Sequence, residues 1–366
     1  MIIGIPTEIK ASEGRVGMTP EGVLTLIEQN HTVILQSGAG EKSGLADCRY
    51  EEAGARIVPS AQEVFSVADL IIKVKEPQPS EVDLFREGQI LFTYLHLAAN
   101  RQLTERLMAS GVVAIGYENV ELDNGRLPLL EPMSEVAGKM AAMMGAHYLA
   151  NHYGGNGKLI GGTVGVAPAK VVVLGAGNVG LNAALIAAGM GANVELHNHN
   201  TARLKQLSNT LPKNITTHYA TSSSLKQTIK DTDIFIGTIY KKGDKTPHFI
   251  SREMVASMKK GSIIVDVSID QGGCVETSRP TTHQEPIFIE EGVLHYCVAN
   301  MPGAYPLTST YALTNETLTY IEQLANLGWE EALVHNNALQ KGLNICQSKI
   351  KLKEVAKIFG YEKEKI

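Results

Sequence analysis

The sequence predicts an α/β fold made of two doubly wound parallel sheets. Short apolar runs alternate with amphipathic stretches along most of the chain, as they do where parallel strands are joined by crossover helices. The alternation occurs twice, once on each side of a segment that is rich in Ala, Met and Gly. A chain of 366 residues is also long enough for two domains with separate cores.

The first alternation predicts six strands, at residues 2–5, 32–35, 56–58, 70–74, 90–95 and 112–115. Helices are predicted between the strands, for example over residues 19–29 and 100–110. In the first of these helices Pro20 takes the first helical position behind Thr19, a residue type that caps helix N-termini. This part of the chain is therefore typical of one parallel sheet with its crossover helices.

The segment between the two alternations predicts one long helix over residues 134–153 that spans the two domains, with Ser134 near its N-terminus. The glycine-rich residues 154–165 carry too few side chains to pack a core, so we expect a loop or hairpin there. The second alternation predicts five strands, at residues 170–174, 193–196, 234–237, 263–267 and 293–298.

The end of the chain predicts helices and no further strands. These helices are expected over residues 309–326, 329–342 and 352–359. We expect this tail to cross back onto the first domain, which makes that domain discontinuous. The predicted domains are therefore residues 1–130 with 307–366, and residues 131–306, linked by long helices.

The composition argues for a small-molecule partner rather than a polymer or a membrane. There are 33 Lys and Arg against 38 Asp and Glu, a net charge of −5, and no basic run that would attract nucleic acid or anionic lipid. No long uncharged apolar segment predicts a membrane span or a secretion signal. The four cysteines form no CxxC pair, so we expect reduced thiols in a cytoplasmic protein.

The string GAGNVG, residues 175–180, has the GxGxxG spacing and lies between a predicted strand and a helix. In such a turn the first glycine allows the tight bend and the second lets the backbone approach a pyrophosphate. The third allows close packing of helix against strand. With another strand predicted at residues 193–196, the context favours a Rossmann-like dinucleotide-binding domain over a merely tight turn.

Asn198 stands where such domains place an acidic residue that holds the ribose 2′-hydroxyl. An amide can still bond a hydroxyl, but it lacks the charge that repels a 2′-phosphate, and Arg203 follows nearby. Preference for NAD over NADP is therefore less secure than the fold. The surrounding HNHN run, residues 197–200, is interpreted as a polar loop at a strand end, and no metal site is expected there.

Polar residues also follow other predicted strands. Lys75, His96 and Asp270 come directly after apolar runs, and Arg15 lies in a loop of the first domain. A dehydrogenase that acts on a small oxo or amino acid needs a cation for the substrate carboxylate and a group that exchanges protons near neutral pH. Taken singly, each residue is explained better by an ordinary loop or a solvated turn than by a role in catalysis.

Several longer stretches resemble the alanine dehydrogenase family, and together they cover essentially the whole chain. The matching stretches are GIPTEIK at residues 4–10, RV at 15–16 with TP at 19–20, KVKEP at 73–77, TYLHLA at 93–98, GAGNVG at 175–180, DVSIDQGGC at 266–274, ETSRPTTH at 276–283 and HYCVANMPGA at 295–304. Their order and separation match the family. Some of them are shared with the nucleotide-binding subunit of proton-translocating transhydrogenase.

The resemblance implies two Rossmann-like domains, with the two ends of the chain forming the substrate domain and the middle binding NAD. It implies reversible oxidation of L-alanine to pyruvate and ammonia, usually by a homo-hexamer. Arg15 and Lys75 are implied to hold the substrate carboxylate and carbonyl. His96 is implied as the general acid and base, and Asp270 as the group that helps to activate water.

The resemblance also implies cofactor contacts in the middle of the chain. The residues concerned are Ser134, Gly175, Gly177, Asn178, Val179, Gly180, Asn198, Arg203, Ile239, Tyr240, Val267, Ser268, Ile269, Asp270, Val298, Ala299, Asn300 and Met301. Asn198 departs from the Asp that is usual in the family. We therefore expect weaker NAD binding than the family norm and some use of NADP.

Two other functions are weighed against this one. A transhydrogenase component would exchange hydride with a partner protein, and a redox-sensing module would bind a dinucleotide without catalysis. Neither needs an intact set of Arg15, Lys75, His96 and Asp270, so the presence of all four favours the dehydrogenase. The sequence leaves open the activity on glycine, serine or glyoxylate and the physiological direction.

Overall fold

The computed structural model describes residues 1–240 and 246–361 of the chain. The chain divides into two compact units, Met1–Met133 together with the segment from Gly303 onward, and Ser134–Pro302. Among the described helices, none is long and apolar enough to cross a membrane.

The first unit begins with six parallel strands and five helices. The strands are β1 Ile2–Ile5, β2 Thr32–Gln36, β3 Arg56–Val58, β4 Leu70–Ile72, β5 Ile90–Thr93 and β6 Val113–Gly116. The helices are α1 Pro20–Glu28, α2 Asp47–Glu52, α3 Ala61–Val67, α4 Pro79–Val82 and α5 Arg101–Ala109. Thr19 caps α1 as predicted, since its side chain accepts a hydrogen bond from the amide of Gly22.

The chain enters the second unit along the helix α6. The helices of this part are α6 Glu131–Tyr148, α7 Asn178–Gly189, α8 Thr201–Ser208, α9 Ser222–Thr228 and α10 Arg252–Ala256. The strands are β7 Lys170–Leu174, β8 Asn193–Asn198, β9 Ile215–Tyr219, β10 Ile234–Gly237, β11 Ile263–Asp266, β12 Ile287–Glu290 and β13 Val293–Tyr296.

The tail returns to the first unit. Its elements are α11 Pro306–Leu327, α12 Trp329–His335, α13 Asn337–Lys341, β14 Leu343–Cys346, β15 Lys349–Ile350 and α14 Lys353–Phe359. The strand β14 pairs antiparallel with β6, and β15 pairs antiparallel with β14. The tail therefore extends the first sheet as well as covering it.

The two sheets share one topology. The first has the order β15-β14-β6-β5-β4-β1-β2-β3 and the second the order β12-β13-β11-β10-β7-β8-β9. In each, the first strand of the unit lies inside the sheet and the strand order reverses beside it, which is the doubly wound arrangement. The predicted α/β class of two Rossmann-like sheets is confirmed, with antiparallel strands added at one edge of each.

Both sheets are covered on their two faces, as continuous apolar strands require. In β4, Leu70 and Ile72 join one apolar cluster while Ile71 joins the cluster on the opposite face. In β7, Val173 likewise joins one apolar cluster and Val172 the cluster on the opposite face. This double burial explains why the sequence shows unbroken apolar runs rather than alternation.

The prediction of a tail without strands is wrong. The strand β14 is only four residues long and holds a polar residue, so its apolar run is too short to recognise. The structure pairs the Asn344 amide group with the side chain of Asn119 at 2.9 Å, which makes this polar residue compatible with a buried strand. The predicted helix over residues 329–342 is also two helices, because the Asn336 side chain caps α13.

The long helix predicted over residues 134–153 is shifted. It begins at Glu131, so Ser134 lies inside its first turns, and it ends at Tyr148. The chain then makes one turn of 3-10 helix and reaches Gly154 in the left-handed conformation, φ 89°. This conformation favours glycine and marks the end of the helical segment.

Candidate active site and dinucleotide-binding site

Three of the predicted site residues follow neighbouring strands of the first sheet. Arg15 lies in the loop after β1, Lys75 comes shortly after β4, and His96 shortly after β5. Since β1, β4 and β5 are adjacent and parallel, their loops leave the sheet along one edge. Open α/β sheets bind their ligands at such edges, next to the point where the strand order reverses.

Arg15 is buried, only 2% exposed, and is locked by Glu13. Its Nε donates to Oε1 of Glu13 at 2.7 Å and its Nη2 to Oε2 at 2.6 Å, a two-pronged ion pair. Burial opposes the charge, but Glu13 outweighs it and raises the pKa of Arg15. Arg15 is therefore a fixed positive charge. The sequence pattern does not single out Glu13, because loop carboxylates are usually exposed.

The backbone that carries Lys75 is held by Glu8. The Oε1 atom of Glu8 accepts hydrogen bonds from the amides of Val74 at 2.6 Å and Lys75 at 3.2 Å. Its Oε2 pairs with the buried Lys73 at 3.1 Å, and Lys73 also contacts Glu81 at 2.7 Å. Burial raises the pKa of Glu8 against the opposing charge of Lys73. Lys73 thus serves the fold, while Glu8 fixes the backbone that carries Lys75.

His96 has a left-handed backbone, φ 49°, which is uncommon for a residue other than glycine. Glu118 holds it there by accepting hydrogen bonds from the amides of Leu95 at 3.1 Å and His96 at 2.7 Å. Strained backbone that the surroundings over-determine is typical of functional sites. The side chain of His96 is 46% exposed.

The imidazole of His96 faces a carboxylate. Its Nδ1 lies 3.7 Å from Oε2 of Glu76, and the other oxygen of Glu76 pairs with Lys10. Burial works against ionisation of Glu76, but His96 and Lys10 outweigh it and lower the pKa of Glu76 to about 2. The carboxylate is therefore ionised at neutral pH.

Apolar and aromatic groups border the same edge. Tyr94 is buried, donates its hydroxyl hydrogen bond to the carbonyl of Leu129 and stacks edge-on against Tyr117 at 5.1 Å. Met133 places its sulfur 3.0 Å from Nη1 of Arg15. This wall gives the edge a defined shape around the fixed charge of Arg15.

The glycine turn of the second unit has the geometry that its three glycines predict. Gly175 has φ 109°, and a Cβ at Gly180 would lie 1.9 Å from the carbonyl oxygen of Gly175. At Gly177, by contrast, a Cβ would meet no described atom within 4 Å apart from its chain neighbours. The turn is thus tightly packed at Gly180 and open at Gly177. Gly177 lies at the N-terminus of α7, where Asn178 and Val179 begin the helix. Anionic groups such as a pyrophosphate fit this position.

A cavity of about 240 Å³ lies beside the glycine turn, at the carboxyl ends of the strands. Its lining residues are Leu174, Asn198, His199, Ala220, Thr221, Ser222, Leu225, Ile239 and Phe249. Asn198 and Ile239 were predicted as cofactor contacts, whereas the part contributed by the start of α9 was not. The cavity combines apolar walls with a few hydroxyl and amide groups, which suits an adenosine.

Asn198 and Arg203 are both held by the backbone around them. The Oδ1 atom of Asn198 accepts a hydrogen bond from the amide of His199 at 2.9 Å. Nε of Arg203 donates to the carbonyl of Ala176 inside the glycine turn at 3.1 Å. Arg203 therefore lies against the glycine turn.

The predicted contacts at residues 267–270 form one turn of 3-10 helix directly after β11. Ser268 and Ile269 are buried and Asp270 is exposed. The turn is anchored by the buried Asp266, whose carboxylate accepts a hydrogen bond from the amide of Cys274 at 2.9 Å. Asp266 has no sequence signature of its own, since an acidic strand end is commonly solvated. Asp270 belongs to the second unit, while Arg15, Lys75 and His96 belong to the first.

The remaining predicted cofactor contacts differ in exposure. Val298 and Met301 are buried in the apolar core of the second unit, which leaves Ala299 and Asn300 as the accessible members of that segment. Tyr240 is 53% exposed at the end of the described chain before residue 241. Side-chain exposure alone therefore favours Ala299, Asn300 and Tyr240 over their buried neighbours as surface contacts.

Comparisons with known proteins agree over nearly the full length. Residues 4–137 match the family described as "Alanine dehydrogenase/PNT, N-terminal domain", and residues 141–353 match its C-terminal domain. The chain is 50% identical over 357 residues to an alanine dehydrogenase of Mycolicibacterium smegmatis, covering 98% of this chain and 96% of that protein. It is also 50% identical over 358 residues to an alanine dehydrogenase of Methanococcus maripaludis, with the same coverage.

Solved structures give the same picture. A structure of an L-alanine dehydrogenase superposes with a TM-score of 0.95 at 46% identity, covering 98% of this chain and 99% of that one. A transhydrogenase from Sinorhizobium meliloti superposes with a TM-score of 0.81 at 23% identity, covering 96% and 98%. The second likeness concerns the fold alone.

Proposed function

The chain belongs to the alanine dehydrogenase/PNT family, and from that premise we propose that it catalyses the reversible oxidative deamination of L-alanine to pyruvate and ammonia with NAD. The observation that carries the proposal is the 50% sequence identity to alanine dehydrogenases over almost the whole chain. The grouping of a fixed cation, a lysine and a histidine at one sheet edge supports it independently.

The first unit supplies the groups that bind a small α-keto or amino acid. We assign Arg15 to the substrate carboxylate, because Glu13 keeps its guanidinium charged and fixed inside the unit. Lys75 acts as a point charge that polarises the carbonyl oxygen of pyruvate. Together the two cations favour an oxo acid over an uncharged ketone.

His96 is the proposed acid and base. It takes the proton that water loses on attacking the substrate-derived iminium, and it returns a proton as the carbinolamine releases ammonia. Glu76 stabilises the protonated ring through its nearby carboxylate. Asp270 is assigned, by the family resemblance, to orient the attacking water.

The second unit fits a dinucleotide. When bound, NAD supplies the acceptor for the hydride that leaves Cα of alanine. The open face of Gly177 admits the pyrophosphate at the start of α7, and the cavity beside Asn198 admits the adenosine. Because Asn198 carries no charge, NADP is excluded less strictly than an aspartate would exclude it. We also propose, on the family resemblance, a homo-hexamer in the cytoplasm.

The reaction is tested by the absorbance of reduced nicotinamide with L-alanine, in separate reactions with NAD and NADP, on wild type and His96→Ala. We expect reduction of NAD that depends on alanine and falls by on the order of 10²–10⁴ in His96→Ala. Binding of NAD, followed by fluorescence, should be unchanged in the variant. Absence of alanine-dependent reduction in a wild-type protein that binds NAD would overturn the proposal and favour hydride exchange or redox sensing.

A further inference from the structure

Three side chains of types that can ligate a metal meet in the second unit, close to the glycine turn, since the amide of Gly175 donates a hydrogen bond to the carbonyl of His197 at 2.8 Å. Glu195 and His197 lie two residues apart on β8, so their side chains share one face of the sheet. His218 on β9 is the register partner of His197. One ligand atom from each of the three lies within 4.8 Å of the other two. We propose that Glu195, His197 and His218 bind a divalent transition-metal ion such as Zn²⁺.

The spacing of the first two donors already fits a metal. Nε2 of His197 lies 3.2 Å from Oε2 of Glu195. Two ligands bonded at about 2.0–2.1 Å in a tetrahedron lie roughly 3.3 Å apart. An ion can therefore enter between these two atoms, with no movement of the strand, when the neutral ring carries its proton on Nδ1 and leaves the lone pair of Nε2 to bind.

The third donor needs only a side-chain rotation. The ring of His218 stacks on that of His197 with 4.8 Å between centroids and 12° between planes. His218 is half-buried, so part of its ring is accessible to an entering ion. Two imidazoles and a carboxylate, completed by a water molecule, form a ligand set that zinc accepts.

His197 is not explained by the fold alone. Its side chain is 1% exposed, and its Nδ1 has no hydrogen-bond partner among the described residues. Buried polar atoms of native proteins are nearly always paired, so the burial of this ring is costly. The nitrogen that faces Glu195, and that would bind the ion, is Nε2 rather than the unpaired Nδ1. The polar run at residues 197–200 predicted a loop without a metal site, whereas His197 lies in β8 beside β9, a strand that was not predicted.

Lys170 competes with the ion. Its Nζ lies 2.9 Å from Oε1 of Glu195, the oxygen that does not face His197. The ammonium group pairs with one carboxylate oxygen and repels a cation that approaches the other. Only about a quarter of its side chain is exposed, 26%, so removal of its charge should change the affinity measurably.

The donor set also predicts selectivity. Imidazole nitrogens favour Zn²⁺, Ni²⁺ and Cu²⁺, whereas Mg²⁺ and Ca²⁺ prefer sites made of oxygen alone. We therefore expect Zn²⁺ to bind and Mg²⁺ not to compete with it. Co²⁺ in the same site should show the visible absorption bands of a four-coordinate ion.

The test is isothermal titration of Zn²⁺ into the full chain, without a histidine tag and stripped of metal. Wild type should bind about one ion per chain at this site, and His218→Asn should weaken it by more than about tenfold, since even outer-shell partners of metal ligands are worth that much. Lys170→Gln should bind several-fold more tightly. His335→Asn is the matched control, because His335 and Glu331 form an exposed pair at 3.5 Å outside the cluster.

Two results overturn the proposal. One is a zinc affinity of His218→Asn equal to that of wild type and His335→Asn, and the other is a Lys170→Gln variant that binds no more tightly than wild type. Thermal unfolding of the metal-free variants verifies that each is folded. Because Lys170→Gln is expected to gain affinity, a variant that only loses structure cannot imitate that result.

Discussion

Two glycines of the same turn should respond in opposite ways to the same small substitution. In Gly180→Ala the new methyl would lie 1.9 Å from the carbonyl oxygen of Gly175 and 2.7 Å from Oγ1 of Thr238, where ordinary contacts begin near 3.4 Å. The backbone must move, and overpacking of this kind costs about 3 kcal/mol. For a unit of this size that corresponds to a melting temperature lower by about 6–12 °C.

Gly177→Ala should leave the fold nearly intact. Gly177 has φ −77° and ψ −168°, which alanine adopts without strain, and its Cβ would point into open space. Loss of a glycine N-cap costs less than about 1 kcal/mol. The methyl would, however, stand where the pyrophosphate must approach, and NAD binding should weaken by on the order of tenfold or more.

The pair is assayed by thermal unfolding without ligand and by titration with NAD. The expected result is a large loss of melting temperature with Gly180→Ala and a loss of NAD affinity at nearly unchanged melting temperature with Gly177→Ala. If Gly177→Ala bound NAD like wild type, the assignment of this turn to the pyrophosphate would be wrong. If Gly180→Ala melted like wild type, the packing argument would fail.

Three further predictions concern buried charges and the cofactor. Lys73→Met should lower the free energy of unfolding in urea by about 3–5 kcal/mol, because it leaves buried carboxylates unpaired. The control Lys226→Met breaks an exposed ion pair with Glu253 and should lower it by less than about 1 kcal/mol. Equal losses in the two variants would refute this prediction. The pKa of Glu76 is lowered from 4.5 to about 2, so its contribution of about 3 kcal/mol is present above pH 4.5 and lost toward pH 2. Glu76→Gln should flatten the fall of unfolding free energy over that range, and an unchanged slope would contradict the assignment. Asn198→Asp should lower the ratio of kcat/KM for NADP to that for NAD by on the order of tenfold through repulsion of the 2′-phosphate, whereas an unchanged ratio would show that charge here is not the discriminator.

Most of the fold is predictable because its strands are buried on both faces and therefore form unbroken apolar runs. The strands that escaped prediction are those of mixed composition at or near a sheet edge. Examples are β9, with the sequence ITTHY, and β12, of which no residue is fully buried. Pairing with a neighbour, rather than hydrophobicity, stabilises such strands.

The residues of the candidate site could be predicted where a polar side chain directly follows an apolar strand. Arg15, Lys75 and His96 lie at the expected edge of the first sheet. The groups that fix them, such as Glu13 and Glu118, were not predictable, because a buried carboxylate that binds a guanidinium or backbone amides has no characteristic spacing. Whether Asp270 acts with the residues of the first unit stays a prediction.

The transfer of hydrogen from alanine can be followed directly with L-alanine that carries deuterium at Cα. The protein is incubated with this substrate and NAD, and the reduced nicotinamide and pyruvate are analysed by mass spectrometry and NMR. The proposed function predicts deuterium at C4 of the reduced ring and pyruvate in equal amount to it. Unlabelled or absent product, with label passing only between two dinucleotides, would contradict it and assign the protein to hydride exchange.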